Sequence, residues 1–413
     1  LEGPKKVRRT QESATHRPGL GYNAPMPLNA SPGDLLVLAL VVLGRLLLPL
    51  LIPWFPLPAI VACLVLDGID QTLFQGLTRL QLDFYQTYDK ALDIYYLTIA
   101  YLSTLRNWDN RFAFRVARAL FYLRLVGVAL FELTEWRVLL FLLPNTFEYF
   151  FIWYELLRLT RDPRALPRTT VISAAAAIWI IVKLPQEYWL HIARLDVTDV
   201  LKTALFGASP ETPWGHVFRA APWLFVGGAL LLAGTIVALA VLAGRRLPAL
   251  AYANAWHPLA PPRRLSHSSL RAARAAWARE IFDRDLAEKL ALTALLTSIF
   301  AQMLPGLAIG RPAAVLPVVL GAVGVVLLTT VLSHVLARRG VGWTNTLGQF
   351  LVMLGANFIV VFLYQALPGA RDLPDAAVAF FVFLLSVIVT LFDRFQIIQR
   401  ARWTTPRERA TAA

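Results

Sequence analysis

The chain has 413 residues, of which 57% are hydrophobic and only 16% are charged, and its mean hydropathy is +0.56. This composition excludes a single water-soluble domain, because too few polar side chains are present to cover so apolar a core. The formal net charge is +14 at pH 7, and one cysteine, Cys63, excludes a disulfide framework. The sequence therefore predicts an all-α, polytopic integral membrane protein.

Ten apolar stretches have about the 20 residues that a helix needs to cross a membrane, although some are shorter. After the first stretch, three prolines (Pro53, Pro56 and Pro58) interrupt the chain, because proline cannot continue a helix. The next apolar segment, 59–66, is too short to cross again, and we expect a re-entrant or interfacial hairpin over residues 53–84. The ten stretches are 35–52, 85–105, 112–133, 138–157, 169–184, 223–243, 290–309, 313–337, 346–367 and 375–392.

Lysines and arginines alternate between the loops. Of the 40 basic residues, 29 fall in the two tails and in every second loop, 7 fall in the other loops and 4 lie within the stretches. Because cytoplasmic loops carry the excess of lysine and arginine, we expect both termini to be cytoplasmic, in a plasma (inner) membrane that the residue usage suggests is bacterial. The basic face would contact anionic lipids of the inner leaflet, and nucleic-acid binding is not needed to explain the charge.

The loops predict five regions. They are a polar tail (1–34), an N-terminal bundle of six spans (35–243) with an outer hairpin (53–84) and an outer loop (185–222), a basic connector (244–289), a C-terminal bundle of four spans (290–393) and a basic tail (394–413). In the connector, residues 266–289 carry apolar and basic side chains on different sides. This pattern favours an interfacial helix on the inner leaflet over a docking site for a soluble partner.

Four aspartates form the principal candidate site. Asp67 and Asp70 follow the short apolar segment, and Asp89 and Asp93 share one face of the next helix because they are four residues apart. Carboxylates at membrane depth need a partner, a cation or a water-filled cavity. We expect an outward-facing site in which Asp67 and Asp70 are catalytic and all four aspartates hold a divalent cation, Mg or Mn. The expected substrate-binding residues are Arg79, Tyr88, Asp89, Lys90, Asp93 and Tyr96.

Two further interpretations stay open. In the first, Asp67 and Asp70 are solvated loop residues, while Asp89 and Asp93 pair with Lys90 and Lys183.

The second concerns Arg45, Arg124 and Glu148, which reach similar depths in three different stretches. We expect them to form a buried ion cluster between helices, since Glu148 can neutralise one arginine. A gating or proton-coupled element is the alternative.

The aspartate spacing resembles two enzyme families. Asp67-x-x-Asp70 followed by Asp89-x-x-x-Asp93 resembles the signature of CDP-alcohol phosphotransferases, although Gln71 and Tyr85 stand where that signature has glycine. Those enzymes use a cytoplasmic nucleotide, whereas the charge pattern places these aspartates outside. The position of Asp67-Gly68-Ile69-Asp70 also resembles the acidic outer-loop motif of lipid-phosphate-dependent glycosyltransferases of the C-type fold. That resemblance implies an aspartate as general base, with a cation or Arg79 on the lipid phosphate.

Three classes of function follow from these features. The preferred one is transfer of a glycosyl or phosphoryl group on a lipid-linked substrate at the outer face. The alternative is a cation- or proton-coupled transporter or channel, which would connect the aspartates to the buried ion cluster. The third is a non-catalytic membrane assembly subunit that uses the basic connector and tail to hold partners.

Overall fold

The computed structural model describes residues 31–78, 85–159, 161–193, 197–210, 212, 214–228, 265–303, 312–339, 346–365 and 375–403, with isolated positions between 230 and 238. Within these ranges the regular structure is entirely helical and contains no strand. The all-α fold class is thereby confirmed.

Within the described residues, fourteen helical segments carry the labels α1 to α14 in chain order. The longer ones pack into a bundle, and α7 is one continuous helical segment that includes two π-helical turns. The segments are α1 Pro32–Leu47, α2 Pro56–Leu77, α3 Tyr85–Asn107, α4 Arg111–Thr134, α5 Val138–Leu142, α6 Thr146–Leu157, α7 Arg168–Ile192, α8 Val197–Phe206, α9 Trp214–Ala220, α10 His267–Arg279, α11 Arg284–Met303, α12 Pro312–Arg338, α13 Thr346–Gln365 and α14 Asp375–Trp403.

Five segments of the described residues are long and apolar enough to cross a membrane. They are Pro32–Leu51, Arg168–Ile192, Arg284–Met303, Val315–Val335 and Ala377–Trp403. Helices α2, α3 and α4 have 22, 23 and 24 residues, which is also long enough to cross a membrane. However, α2 and α3 carry the four aspartates and are less apolar for that reason.

Contacts along α3 define the two ends of the bundle. The carbonyl oxygen of Pro53 accepts hydrogen bonds from Arg106 and Asn107, and the Arg106 guanidinium lies 5.0 Å from the Trp54 ring centroid. The turn between α1 and α2 therefore lies at the C-terminal end of α3. We call this the Arg106 end of the bundle, and we call the opposite end, where α3 begins, the Tyr85 end.

Helix α2 differs from the expected re-entrant hairpin. The proline break is present, but a single helix starts at Pro56 and continues to Leu77. It is about 33 Å long at about 1.5 Å per residue, and it runs antiparallel to α1, with Phe74 packed on Val41. It thus passes from the Arg106 end to the Tyr85 end. The prediction from the apolar segment 59–66 underestimated the length of this helix. The helix continues past residue 66 because an arginine of α1 compensates the aspartates that follow.

Basic residues of two described loops and of the C-terminal segment meet at one end of the bundle. At the Arg106 end, Asp109 pairs with Arg164 at 2.9 Å and with Arg402 at 3.3 Å. However, α1 begins at the Tyr85 end, whereas α14 ends at the Arg106 end. Pro32 and Trp403 therefore lie at opposite ends of the bundle, which differs from the expectation that both tails share one side.

The predicted span 138–157 is divided into two helices. Helix α5 ends before Leu143-Pro144-Asn145, where proline removes a backbone donor, and α6 begins at Thr146. The break packs against Gly127 of α4, where an added Cβ would lie 2.7 Å from the Cβ of Leu143.

The predicted interfacial helix is shorter than expected. Helix α10 ends at Arg279, and α11 begins at Arg284 after a non-helical link. Its Trp277 ring lies 3.8 Å from the ring of His334 in α12, so α10 is docked on the C-terminal helices. Residues 1–30 of the predicted N-terminal tail, 404–413 of the predicted C-terminal tail, 244–264 of the connector and about half of span 223–243 lie outside the described residues.

Candidate functional site

The four aspartates converge on one arginine. Arg45 comes from the last turn of α1, and its side chain is only 4% exposed. Its Nη2 atom lies 2.6 Å from Asp67 Oδ1 and also pairs with Asp93, while Nη1 pairs with Asp70 and Asp89. The structure thus brings together the aspartates that the sequence predicted, on an arginine that the sequence assigned elsewhere.

Helical spacing explains this geometry. The i, i+3 aspartates of α2 and the i, i+4 aspartates of α3 each project from one face of their helix. Asp67 lies about 16 Å along α2 from Pro56, and Asp93 lies about 12 Å along α3 from Tyr85, at about 1.5 Å per residue. The cluster is therefore inside the bundle and nearer to the Tyr85 end.

The four carboxylates differ in exposure, and this difference indicates two roles. The side chain of Asp70 is 1% exposed, whereas those of Asp67, Asp89 and Asp93 are 32%, 20% and 44% exposed. Each of the three exposed residues offers an oxygen atom, and these atoms lie within 4.8 Å of one another. Carboxylate oxygens so arranged suit a hard divalent cation such as Mg or Mn. Asp70 is instead placed to orient Arg45.

The cluster has more negative than positive charge. Four carboxylates surround the guanidinium of Arg45, which supplies a single positive charge to these ion pairs. Excess charge of one sign in a desolvated bundle is costly, so it is relieved by bound protons or by a bound cation. The arrangement can therefore take up a cation, exchange protons, or do both.

Two predicted substrate-binding residues face other neighbours. The Tyr88 ring packs on α14, with its centroid 5.0 Å from that of Phe380 and 6.3 Å from that of Phe381. The Nζ atom of Lys90 lies 3.4 Å from Glu132 Oε1, and the lysine side chain is 54% exposed. Tyr88 thus has a packing role and Lys90 points to α4.

The alternative pairing of aspartates with lysines also differs from the structure. Lys183 donates to Gln186 Oε1 at 3.0 Å and lies over the Tyr149 ring. Arg45, rather than Lys90 and Lys183, compensates the negative charge of the aspartates. Arg79, the predicted phosphate ligand, lies outside the described residues.

The buried ion cluster expected from Arg45, Arg124 and Glu148 contains Arg124 and Glu148 but not Arg45. Glu148 accepts hydrogen bonds from Tyr96 Oη and, at 2.9 Å, from Asn145 Nδ2. Arg124 interacts electrostatically with Glu148, but its Nη1 atom is buried without a hydrogen-bond partner among the described residues. Arg45 belongs with the aspartates because the C-terminal turn of α1 lies beside α2 and α3.

A second buried carboxylate, which the sequence placed in an outer loop, joins this cluster. Glu187 of α7 accepts a hydrogen bond at 3.4 Å from the Asn145 backbone nitrogen, and its Oε2 atom lies 2.9 Å from His191 Nε2. π-helical turns, which are frequent at functional sites, lie on both sides of Glu187. The sequence signal was the i, i+4 series Lys183, Glu187 and His191.

An apolar groove of about 630 Å³ runs along α2 and faces α6. It includes Leu66 and Ile69, which adjoin Asp67 and Asp70 in sequence. Its apolar lining suits a hydrocarbon chain. The lining residues are Leu48, Leu57, Pro58, Val61, Ala62, Val65, Leu66, Ile69, Ile152 and Leu156.

Comparison of the chain with known protein families, with curated proteins and with solved structures finds no match.

Proposed function

We propose that the protein is a multi-pass enzyme of a bacterial plasma membrane that transfers a phosphoryl or glycosyl group on a lipid-linked substrate. A divalent cation, Mg or Mn, would be held by Asp67, Asp89 and Asp93. The observation that carries the proposal is the convergence of four carboxylates on Arg45 inside a helical bundle. The three accessible carboxylates have the spacing of a cation site.

The site residues have distinct chemical roles in this proposal. A cation held there would supply charge neutralisation, both for the phosphate of the lipid-linked substrate and for the charge that develops during transfer. Asp93 has the most exposed of the four side chains, and the carboxylate oxygen that it does not offer to the cation would act as general base on the acceptor hydroxyl. Asp70 and Arg45 hold the ligands in position, and the groove along α2 takes the hydrocarbon chain of the substrate.

The charge pattern gives the proposed orientation. The Arg106 end carries most of the basic residues and faces the cytoplasm in this proposal. The N-terminal tail then starts on the outer side, and because it holds five basic residues, the count changes from 29 against 7 to 24 against 12. The cytoplasm remains the more basic side, and the aspartate cluster lies in the outer half of the bundle.

Labelling of single cysteines tests this orientation. In a Cys63→Ala background, Gly33→Cys is expected to react with a membrane-impermeant maleimide in intact cells, whereas Arg161→Cys is expected to react only after lysis. Both positions are exposed, and they lie at opposite ends of the bundle. Labelling of both cysteines in intact cells, or of neither, would contradict the proposed arrangement.

Manganese binding tests the cation site. Titration of the purified protein with Mn²⁺, followed by the paramagnetic resonance signal of the free ion, is expected to show one site. Asp67→Asn, Asp89→Asn and Asp93→Asn should each weaken binding by at least about tenfold, since even outer partners of metal sites change affinity by about 10–100-fold. Glu132→Gln is the matched control, because Glu132 pairs with Lys90 outside the cluster.

A phosphate lipid separates an enzyme from a transporter. If the cation holds a lipid phosphate, short-chain phosphatidate should tighten Mn²⁺ binding, and Mn²⁺ should tighten phosphatidate binding by the same factor. Unchanged Mn²⁺ affinity at saturating phosphatidate would count against the transferase. It would favour the second candidate, a cation- or proton-coupled transporter, which the buried contacts from Tyr96 to His191 support.

A further inference from the structure

Helix α8 has the reverse of the polarity that a helix on a water-soluble protein has. Its residues Val200, Leu201 and Leu205 are 44%, 38% and 63% exposed, whereas Lys202 is only 7% exposed. The Lys202 ammonium donates a hydrogen bond at 2.8 Å to the carbonyl oxygen of Pro210. A helix beside water turns its apolar side inward and its charged side outward, so the surroundings of α8 are not simply aqueous.

Helical spacing places the exposed apolar residues on one side of α8. They follow one another at i, i+1, i+4 and i+5, which is one face of a helix. Lys202 and Phe206 are four residues apart and share the other side, where the Lys202 Nζ atom lies 5.3 Å and the Phe206 ring 6.1 Å from the centre of the Trp214 ring. The α8 face is the name used here for the exposed residues Val200, Leu201, Ala204 and Leu205.

The α8 face lies close to the Tyr85 end of the bundle. Helix α7 starts at the Arg106 end, where Arg168 lies over the Phe112 ring, and its 25 residues reach the opposite end. There Tyr188 contacts Phe141 of α5, which follows the end of α4. Tyr188 and Trp189 are exposed, and such residues are enriched at the level of lipid headgroups. Helix α8 begins after a short link from this level.

Membrane hydrocarbon is the partner that the α8 face fits. The face has four side chains, whereas a stable protein interface uses about 20–30 residues on each side, so the face is too small to hold a second copy of the chain. Each apolar side chain placed in hydrocarbon is stabilised separately. Beyond α9 the chain again exposes apolar side chains, Trp223 and Leu224, so α8 lies between two exposed apolar segments.

The charges of α8 give it no attraction to anionic headgroups. Interfacial helices commonly carry several lysines or arginines on the polar face, and these residues bind anionic lipids. Helix α8 has one basic residue, Lys202, and one acidic residue, Asp199. Lys202 is turned toward Trp214 and away from the α8 face. Contact with the membrane therefore depends on hydrocarbon and not on the charge of the lipid.

We propose that α8 is an interfacial helix that inserts the α8 face into the leaflet at the Tyr85 end and anchors α9 there. The anchor is joined to α9 by stacked rings, since the Phe225 centroid lies 4.8 Å from that of Phe206 in α8 and 3.7 Å from that of Phe218 in α9. Helix α9 packs in turn against α2, which carries Asp67 and Asp70. The inference goes beyond the proposed function and requires neither a cation nor a transfer reaction.

Spin labels on single cysteines test the insertion. In a Cys63→Ala background, the full chain with a nitroxide on Leu201→Cys or Leu205→Cys is placed in phosphatidylcholine vesicles. The ratio of collisions with oxygen, which concentrates in hydrocarbon, to collisions with a water-soluble nickel complex should be several times higher than for Thr203→Cys. Thr203 is the matched control because it is exposed on the other side of α8.

Each alternative partner of the α8 face gives a different result. A ratio at Leu201 and Leu205 no higher than at Thr203 would overturn the insertion. Protection from both reagents, with magnetic coupling between labels on two molecules, would identify a second copy as the partner and would also overturn it. Addition of phosphatidylglycerol should leave the ratio unchanged, and a large increase would overturn the argument that hydrocarbon alone holds the helix.

A label on α9 tests the anchor. A nitroxide on His216→Cys, an exposed position of α9, should become more mobile in Leu205→Glu, because a carboxylate withdraws the α8 face from hydrocarbon. Thr203→Glu carries the same charge on the other side of α8 and should leave the spectrum as in the parent. Unchanged mobility at His216 in Leu205→Glu, or equal changes in both variants, would show that α8 does not anchor α9 through its apolar face.

Discussion

Arg45→Ala is expected to be the most destabilising single substitution at the site. It leaves four carboxylates in close contact without the guanidinium that they share, and removal of one partner from a buried ion pair costs about 3–5 kcal/mol. Thermal unfolding in detergent measures the loss. Arg45→Lys should be intermediate, because an ammonium keeps the charge but lacks the planar fork that reaches several carboxylates.

A divalent cation should rescue this variant. Without the guanidinium, Mn²⁺ is the remaining way to neutralise the aspartates, and a ligand that binds only the folded state stabilises it. The midpoint of unfolding should therefore rise more with Mn²⁺ in Arg45→Ala than in the wild type. Wild-type stability of Arg45→Ala without added cation would contradict the charge argument.

The second large effect is expected at Lys289 in the C-terminal bundle. Its side chain is 3% exposed, and its Nζ atom lies 2.7 Å from Asp393 Oδ1 and 2.6 Å from Thr330 Oγ1. Asp393 also accepts a hydrogen bond from Gln349, so this ion pair joins α11, α12, α13 and α14. Lys289→Met should lower the free energy of unfolding by about 3–5 kcal/mol, because it leaves a buried carboxylate without its cation.

A double substitution is the control for this prediction. Asp393→Leu alone should destabilise the protein similarly, because the ammonium is then unpaired. Lys289→Met with Asp393→Leu removes both charges and should be more stable than either single variant, since apolar replacement of a whole buried pair is often neutral. A double variant whose loss equals the sum of the single losses would show that the two charges act independently.

Much of the fold follows from hydropathy and charge, and the exceptions have physical causes. The apolar stretches 313–337 and 346–367 predicted α12 and α13 closely, because long uncharged runs have few alternatives in lipid. The stretch containing α2 was underestimated because hydropathy scores each aspartate as if it were alone. The pairing of Asp67 and Asp70 with Arg45 depends on packing between helices, which local sequence does not contain.

The site shows the same division between local and tertiary information. Helical spacing predicted that Asp89 and Asp93 share a face, and the structure brings them to Asp67 and Asp70. The pairing of Arg45 with these residues was missed because depth along a span does not reveal which neighbouring helix a side chain faces. Glu187 was assigned to a loop because the helix that contains it continues through π-helical turns beyond Leu184.

The position of Arg45 on the first helix affects how the chain enters the bilayer. During synthesis α1 emerges from the ribosome before the aspartates of α2 and α3 exist, and a lone arginine within a helix costs about 2.5–3.5 kcal/mol to insert. Its four counter-charges are complete only once Asp93 has been translated. The first three helices are thus expected to leave the insertion machinery together, so that a nascent chain cut short before α3 would stay poorly integrated.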